Sequence, residues 1–126
     1  MQLKKRTESH FCMSEDGMRL IATRTARNPQ LQFPPLEFIH GDEAVEDVPL
    51  GPFGQLYTYT VVHPGKDKPP YALAMVDFDQ GVRAFGRLNL DGDKAPSISS
   101  IVRIVPLALP DGSLDYAFEI VAGDSA

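Results

Sequence analysis

The sequence predicts a mainly β protein whose larger part is a five-stranded Greek-key barrel of the oligonucleotide/oligosaccharide-binding (OB) type. From residue 51 onward, segments rich in β-branched and aromatic residues recur at regular spacing. Turns rich in Gly, Pro and Asp separate these segments. Closing five short strands into a barrel also removes exposed sheet edges. A length of 126 residues fits one such domain with a small appendage.

Five strands are predicted within this second part of the chain. They cover residues 55–63, 71–78, 82–90, 101–107 and 114–121. The connections contain the tight-turn sequences Asp79-Gln80-Gly81 and Pro110-Asp111-Gly112, together with the proline-bounded loop 64–70. The first three strands are therefore expected to form a meander.

The upstream part of the chain is less regular. We divide the sequence into an N-terminal segment (1–17), expected to be helical or mobile, a ribbon-like segment (18–50), the barrel (51–122) and a tail (123–126). Residues 18–23 read as a short strand after an Asp16-Gly17 turn. Residues 42–49 are acidic and are interpreted as solvated, with Val45 and Val48 as their only apolar anchors.

Residues 25–43 have the layout of a two-knuckle zinc ribbon, with a Phe-Pro-Pro turn at 33–35, but they contain no cysteine. The single cysteine of the chain, Cys12, lies upstream. A disulfide or a multi-thiolate metal site within one chain is therefore excluded, and we expect no bound metal.

Charge and targeting signals limit the function classes. Seventeen acidic and 12 basic residues give a net charge of −5. This charge argues against a protein that binds the phosphate backbone of nucleic acids. An unpaired thiol fits a reducing compartment, and the N-terminus lacks the apolar run of a signal peptide. No segment approaches the ~20 apolar residues of a membrane span. A cytoplasmic protein is the simplest expectation.

Several motifs, taken in order, resemble one known family. They are FPP at 33–35, GQLYTYTVVH at 54–63, PPYALAMVDF at 69–78, GVR at 81–83 and FGRL at 85–88. Their order and spacing are similar to those of the acyl-CoA-associated zinc-ribbon/OB-fold proteins, domain-of-unknown-function family 35. The resemblance extends from about residue 18 to residue 120.

This resemblance implies that an OB-fold barrel follows a degenerate, rubredoxin-like zinc ribbon. The four positions that hold zinc in the family are occupied by Thr25, Asn28, Ile39 and Asp42. Because Thr and Ile do not ligate zinc, the ribbon is expected to hold by packing around Phe33, Phe38 and Ile39. A glycine expected before the fourth barrel strand is also replaced, within Ser99-Ser100, which restricts the backbone there.

The function that the resemblance implies is a non-catalytic accessory subunit. Such a subunit binds or bridges an acyl-CoA enzyme, either a thiolase-like condensing enzyme or a hydratase, and helps to present the CoA thioester. A CoA thioester is then the one small ligand to consider. Isolated from its partner, the chain could form a homodimer.

Basic side chains supply the first candidate site residues. Arg83 and Arg87 are four apart in a predicted strand, so they share one face. They could bind the phosphates of CoA or acidic side chains of a partner, or they could simply be solvated. Lys66 and Lys68, in the preceding loop, could extend a phosphate-binding patch or serve only solubility.

Aromatic and titratable residues give the remaining candidates. Tyr57 and Tyr59 are predicted to share a strand face, where they could stack bases or belong to the core or a partner interface. The alternative function is accordingly an OB-fold module that binds single-stranded nucleic acid or another ligand. His63 could be a base, a ligand contact or a surface residue.

No motif predicts catalysis by this chain alone. Cys12 has no His or acid placed beside it by a recognisable motif. Asp77 and Asp79 flank a predicted hairpin turn, where carboxylates are usually part of the turn. We therefore expect a protein that is not an enzyme by itself.

Overall fold

The computed structural model describes residues 3–5, 10–27, 29–35, 38–40, 44–90 and 96–121. In chain order the strands are β1 (Leu3–Lys5), β2 (Phe11–Ser14), β3 (Gly17–Thr25), β4 (Phe38–His40), β5 (Val45–Leu50), β6 (Phe53–Val62), β7 (Tyr71–Asp77), β8 (Arg83–Asn89), β9 (Ile101–Ala108) and β10 (Leu114–Ile120). No helix in this described part is long and apolar enough to cross a membrane.

The last five strands close into a barrel in the order β10-β8-β7-β6-β9. All neighbouring pairs are antiparallel except β8 and β10, which run parallel. A meander of three strands followed by two that close around it is the connectivity of an OB barrel. The predicted fold class is confirmed, and each predicted barrel strand is present with its ends shifted by a few residues.

Alternating side chains explain why these segments form barrel strands. In β7, Ala72, Ala74 and Val76 are buried while the residues between them are more exposed. In β8, Ala84 and Leu88 are buried in the same manner. The inward row is built of small and medium side chains, because the barrel interior of five strands leaves little room.

Three of the five strands upstream of the barrel form a sheet, β2-β3-β5, that packs on the barrel, while β1 pairs with β4. Leu20 and Leu50 from this sheet are fully buried in the same core cluster as Phe118 of the barrel. A hairpin joins β2 to β3, and the Ser14 hydroxyl donates to the Asp16 carboxylate (2.6 Å) in its turn. The described residues of segment 1–17, which we expected to be helical or mobile, include strands β1 and β2.

The acidic stretch 42–49 is a second difference between expectation and structure. Its described residues from Val45 onward belong to β5, which pairs with β3 over six positions from Leu20–Leu50 to Thr25–Val45. Leu50 is buried and the two valines are partly buried, whereas Glu46 is exposed and forms an ion pair with Arg24 (2.7 Å). The acidic residues Glu46 and Asp47 are exposed, as expected, but the segment forms a strand, which the sequence analysis did not predict.

Of the three residues expected to anchor the ribbon-like region, Phe33 packs against the core and Phe38 does not. The Phe33 ring packs against the core and meets Tyr116 edge-on, with ring centroids 5.8 Å apart. Phe38 lies 50% exposed in β4, so it is not a packing centre. Thr25 is buried in β3 and Ile39 lies in β4, while Asn28 and Asp42 lie outside the described residues.

Candidate binding surface

One side of the barrel, formed by β6, β7 and β8, carries an unusual set of side chains. We call it the outer face, and its members are Tyr57, Tyr71, Met75, Asp77, Arg83, Phe85 and Arg87. The strand register places Asp77 opposite Arg83 and Met75 opposite Phe85. Cross-strand partners of this kind lie about 5 Å apart and interact directly. The face is thus a continuous surface across the sheet.

Arg83 is held at one end of the outer face by two neighbours. Its Nε donates to Asp77 Oδ1 at 2.7 Å, and its second guanidinium nitrogen reaches Oδ2 at 3.3 Å. Its guanidinium carbon also lies 3.5 Å from the ring centroid of Tyr57. The hydrogen bond to Asp77 raises the pKa of Arg83. This guanidinium is oriented on both sides and its charge is largely neutralised.

Arg87 lies at the other end of the face in a different environment. Its guanidinium carbon is 4.3 Å from the centroid of the Tyr71 ring. Within the part of the chain that the structure describes, no carboxylate lies at ion-pair distance from it. An open cleft of about 540 Å³ adjoins it, lined also by Val61, Asn89 and Leu90. Arg87 therefore presents a positive charge that can meet an external anion.

The centre of the outer face is apolar. Phe85 is 53% exposed, its cross-strand partner Met75 is 38% exposed, and Tyr57 is 48% exposed. Behind them, the Tyr116 hydroxyl donates a 2.6 Å hydrogen bond to the backbone carbonyl of Phe85. Large apolar side chains exposed together on a rigid sheet are characteristic of binding surfaces rather than of an ordinary solvated strand.

The expectation that Tyr57 and Tyr59 share a face was wrong. The pairing of β6 with β7 shifts between Leu56 and Thr58, so Tyr57 occupies a β-bulge. Tyr59 pairs with the buried Ala74 and packs against the core, whereas Tyr57 faces outward beneath Arg83. One extra residue reverses the side on which the following side chains lie.

The remaining predicted site residues lie away from this set. His63, Lys66 and Lys68 are exposed in the loop between β6 and β7. Among the described residues, no hydrogen bond or ion pair joins them to Arg83 or Arg87. No cluster of three or more His, Cys, Asp or Glu side chains that could hold a metal occurs within the described ranges.

Sequence reasoning missed three residues of the outer face, namely Tyr71, Met75 and Phe85. Tyr71 and Met75 alternate with the buried alanines of β7, and Phe85 stands between the two predicted arginines in β8. Large apolar side chains at outward positions of an alternating strand are the signal that would have identified them.

The barrel is similar to a known protein family. Residues 47–106, from β5 into β9, match the family model described as ChsH2, C-terminal OB-fold domain. This part of the chain is therefore similar to that family, which confirms the resemblance to domain-of-unknown-function family 35 inferred from the motifs.

A solved structure supports the same assignment at the level of fold. A chain of the structure named "Ltp2-ChsH2(DUF35) aldolase" superposes with a TM-score of 0.64 at 24% sequence identity. The match covers 81% of this chain and 84% of that one, so it includes strands upstream of the barrel. No curated protein gives a significant match.

Proposed function

We propose that this protein is a non-catalytic accessory subunit that binds or bridges an acyl-CoA enzyme. The observation that carries the proposal is the match of residues 47–106 to the ChsH2 C-terminal OB-fold family model. A chain of similar fold comes from a structure whose name joins Ltp2 with ChsH2 and describes an aldolase. The partner proposed here is a thiolase-like condensing enzyme or aldolase, with a hydratase as the second possibility.

The described residues favour a binding role over catalysis. The Asp77 carboxylate is paired with Arg83, and Asp79 lies in the exposed turn after β7. The exposed His63 has no acidic hydrogen-bond partner within the described part of the chain. A nucleophile, a base and a group that orients the base do not come together among these residues.

Contact with the CoA thioester is a finer part of the proposal. The phosphates of CoA require cations, and the loop between β6 and β7 presents Lys66 and Lys68 to solvent. Because Arg83 is already paired with Asp77, these lysines are better placed than that arginine to bind a phosphate. Contacts of this kind would help to present the thioester to the partner's active site.

Co-purification tests the proposed function. The full chain is co-expressed with each thiolase-like and hydratase-like enzyme encoded beside its gene, and each mixture is analysed by size-exclusion chromatography with light scattering. We expect one stoichiometric complex whose acyl-CoA activity exceeds that of the partner alone. The proposal fails if every enzyme elutes separately, or if the isolated chain turns over a CoA ester by itself.

The CoA contribution is tested on that complex by isothermal titration calorimetry with free CoA. The double variant Lys66→Ala/Lys68→Ala should weaken CoA binding severalfold, whereas Arg24→Ala, in the β3–β5 ion pair, should leave it unchanged. Equal affinity for all three proteins would place the CoA site entirely on the partner.

A single-stranded nucleic-acid ligand is the rival function. In its favour, aromatic side chains and two arginines lie on the second and third strands of an OB barrel, a face that binds oligonucleotides in other OB folds. Against it, the net charge of −5 repels a polyanion. A salt-dependent shift with oligo(dT) at physiological salt would favour the rival.

A further inference from the structure

We infer that the outer face is the surface through which this chain docks on its protein partner, and that the matching partner patch is apolar with a carboxylate opposite Arg87. This inference rests on the proposed function, since it names the surface that an accessory subunit would use.

The composition of the face fits a protein interface. Tyr, Phe, Met and Arg are the residue types enriched in interface cores, and Tyr57, Phe85, Met75 and Arg87 supply one of each. The two central side chains are direct cross-strand partners, so their exposed areas adjoin. Covering Met75 and Phe85 would remove apolar area from water, which is the main driving force of association.

Contacts within the chain also position several side chains of the outer face before anything binds. Asp77 and the Tyr57 ring hold the Arg83 guanidinium, and the Tyr71 ring lies under that of Arg87. Phe85 is fixed through its backbone by the Tyr116 hydroxyl, on a strand of a closed barrel. Side chains already ordered lose little conformational entropy on binding, so more of the contact energy appears as affinity.

Charge selects the kind of partner. Two arginines against one aspartate leave the face positive, although the whole chain carries a net charge of −5. A second copy docked face to face would place one positive face against another, which disfavours a homodimer through this surface. A partner carboxylate opposite Arg87 gains a charge-assisted hydrogen bond instead.

Binding of face variants to the co-purifying enzyme tests the inference. Phe85→Ser should raise Kd at least about thirtyfold, as for a central apolar anchor. Arg87→Ala should raise Kd about tenfold and weaken the dependence of binding on salt. The matched controls are Met13→Ser, a 69%-exposed side chain on the β2–β3 hairpin, and Arg103→Ala, from the surface pair with Glu119. Both controls should bind like the wild type, and far-UV circular dichroism with urea titration confirms that each variant folds.

The outcomes separate this inference from the proposed function. If the wild type binds the enzyme and the face variants bind equally well, the outer face is not the docking surface and the accessory role stands. If the wild type binds none of the enzymes, the accessory role fails and this inference fails with it. If the wild type binds oligo(dT) and Phe85→Ser does not, the face is a nucleic-acid site and the inference is overturned.

Discussion

The hydroxyl of Tyr116 donates a hydrogen bond of 2.6 Å to the backbone carbonyl of Phe85. The two residues lie on β10 and β8, which pair as strands only from Arg87 to Asn89. At Phe85 a side chain therefore supplies the hydrogen bond that a neighbouring strand would otherwise make. The same phenol ring contacts Phe33 edge-on and thus joins the ribbon-like region to the barrel.

Replacing Tyr116 with Phe should reduce the free energy of unfolding by about 1 kcal/mol at neutral pH, the usual net value of one hydrogen bond. The ring remains, so its packing against Phe33 and Phe118 is retained. Urea denaturation followed by circular dichroism measures the change. Tyr71→Phe, on the outer face, is the control and should stay within ~0.5 kcal/mol of the wild type.

The stability of the protein should fall in alkali partly through Tyr116. Burial raises the pKa of Tyr116 to about 12, and the negative charge of Asp115 adds to this. An unfolded tyrosine titrates near ~10, so between these values the native state holds more protons than the unfolded state and stability decreases as pH rises. The stability gap between wild type and Tyr116→Phe should narrow above pH ~10. A gap that stays constant across this range would contradict the raised pKa of Tyr116.

Gly86→Ala should destabilise the protein by about 1–3 kcal/mol through overpacking. A Cβ atom at this position would lie 2.7 Å from Tyr116 Cε2 and 2.9 Å from Phe118 Cε2, which is closer than carbon atoms approach. Chemical denaturation of Gly86→Ala, Tyr116→Ala and the double variant tests this cause. Removing the ring should relieve part of the clash, so the double variant should be more stable than the sum of the single effects predicts. Strict additivity would refute the steric explanation.

Ser99→Gly should stabilise the protein by about 0.5–1 kcal/mol. Ser99 has a φ of 77°, which is a left-handed conformation. This conformation is unfavourable for a residue that carries a side chain, whereas glycine adopts it readily. Two backbone hydrogen bonds of 2.8 Å, Ser99 N to Leu56 O and Leu56 N to Ser100 O, hold the turn in place. Thermal unfolding should show a higher Tm for Ser99→Gly. Ser97→Gly is the control, because Ser97 does not have this left-handed conformation. This substitution should lower Tm, since glycine increases the conformational entropy of the unfolded chain.

Arg83→Ala should change the free energy of unfolding by less than ~1 kcal/mol, since exposed ion pairs contribute little. Both Arg83 and Asp77 are about half exposed. The informative measurement is a double-mutant cycle of Arg83→Ala with Tyr57→Leu, which isolates the stacking contact. A coupling energy of a few tenths of a kcal/mol is expected, and a value near zero would mean that the stack is not populated in solution.

Local patterns in the sequence determined most of the barrel. The alternation in YALAMVDF and VRAFGRLNL predicts β7 and β8, because side chains of a strand point alternately to its two sides whatever the strand packs against. The same rule placed Arg83 and Arg87 on one face. The motif order also indicated the family, and the left-handed turn at Ser99 lies where a glycine was expected.

Only the tertiary structure decided which side chains meet. The bulge at Tyr57 depends on how β6 pairs with both β7 and β9, and this pairing separates Tyr59 from Tyr57. The strand at 45–50 forms because β3 offers it a partner and the core accepts Leu50, although its own sequence is acidic. The Phe85–Met75 centre and the Tyr116 bond join residues distant in the chain. Such contacts depend on strand register and barrel closure, which no local pattern specifies.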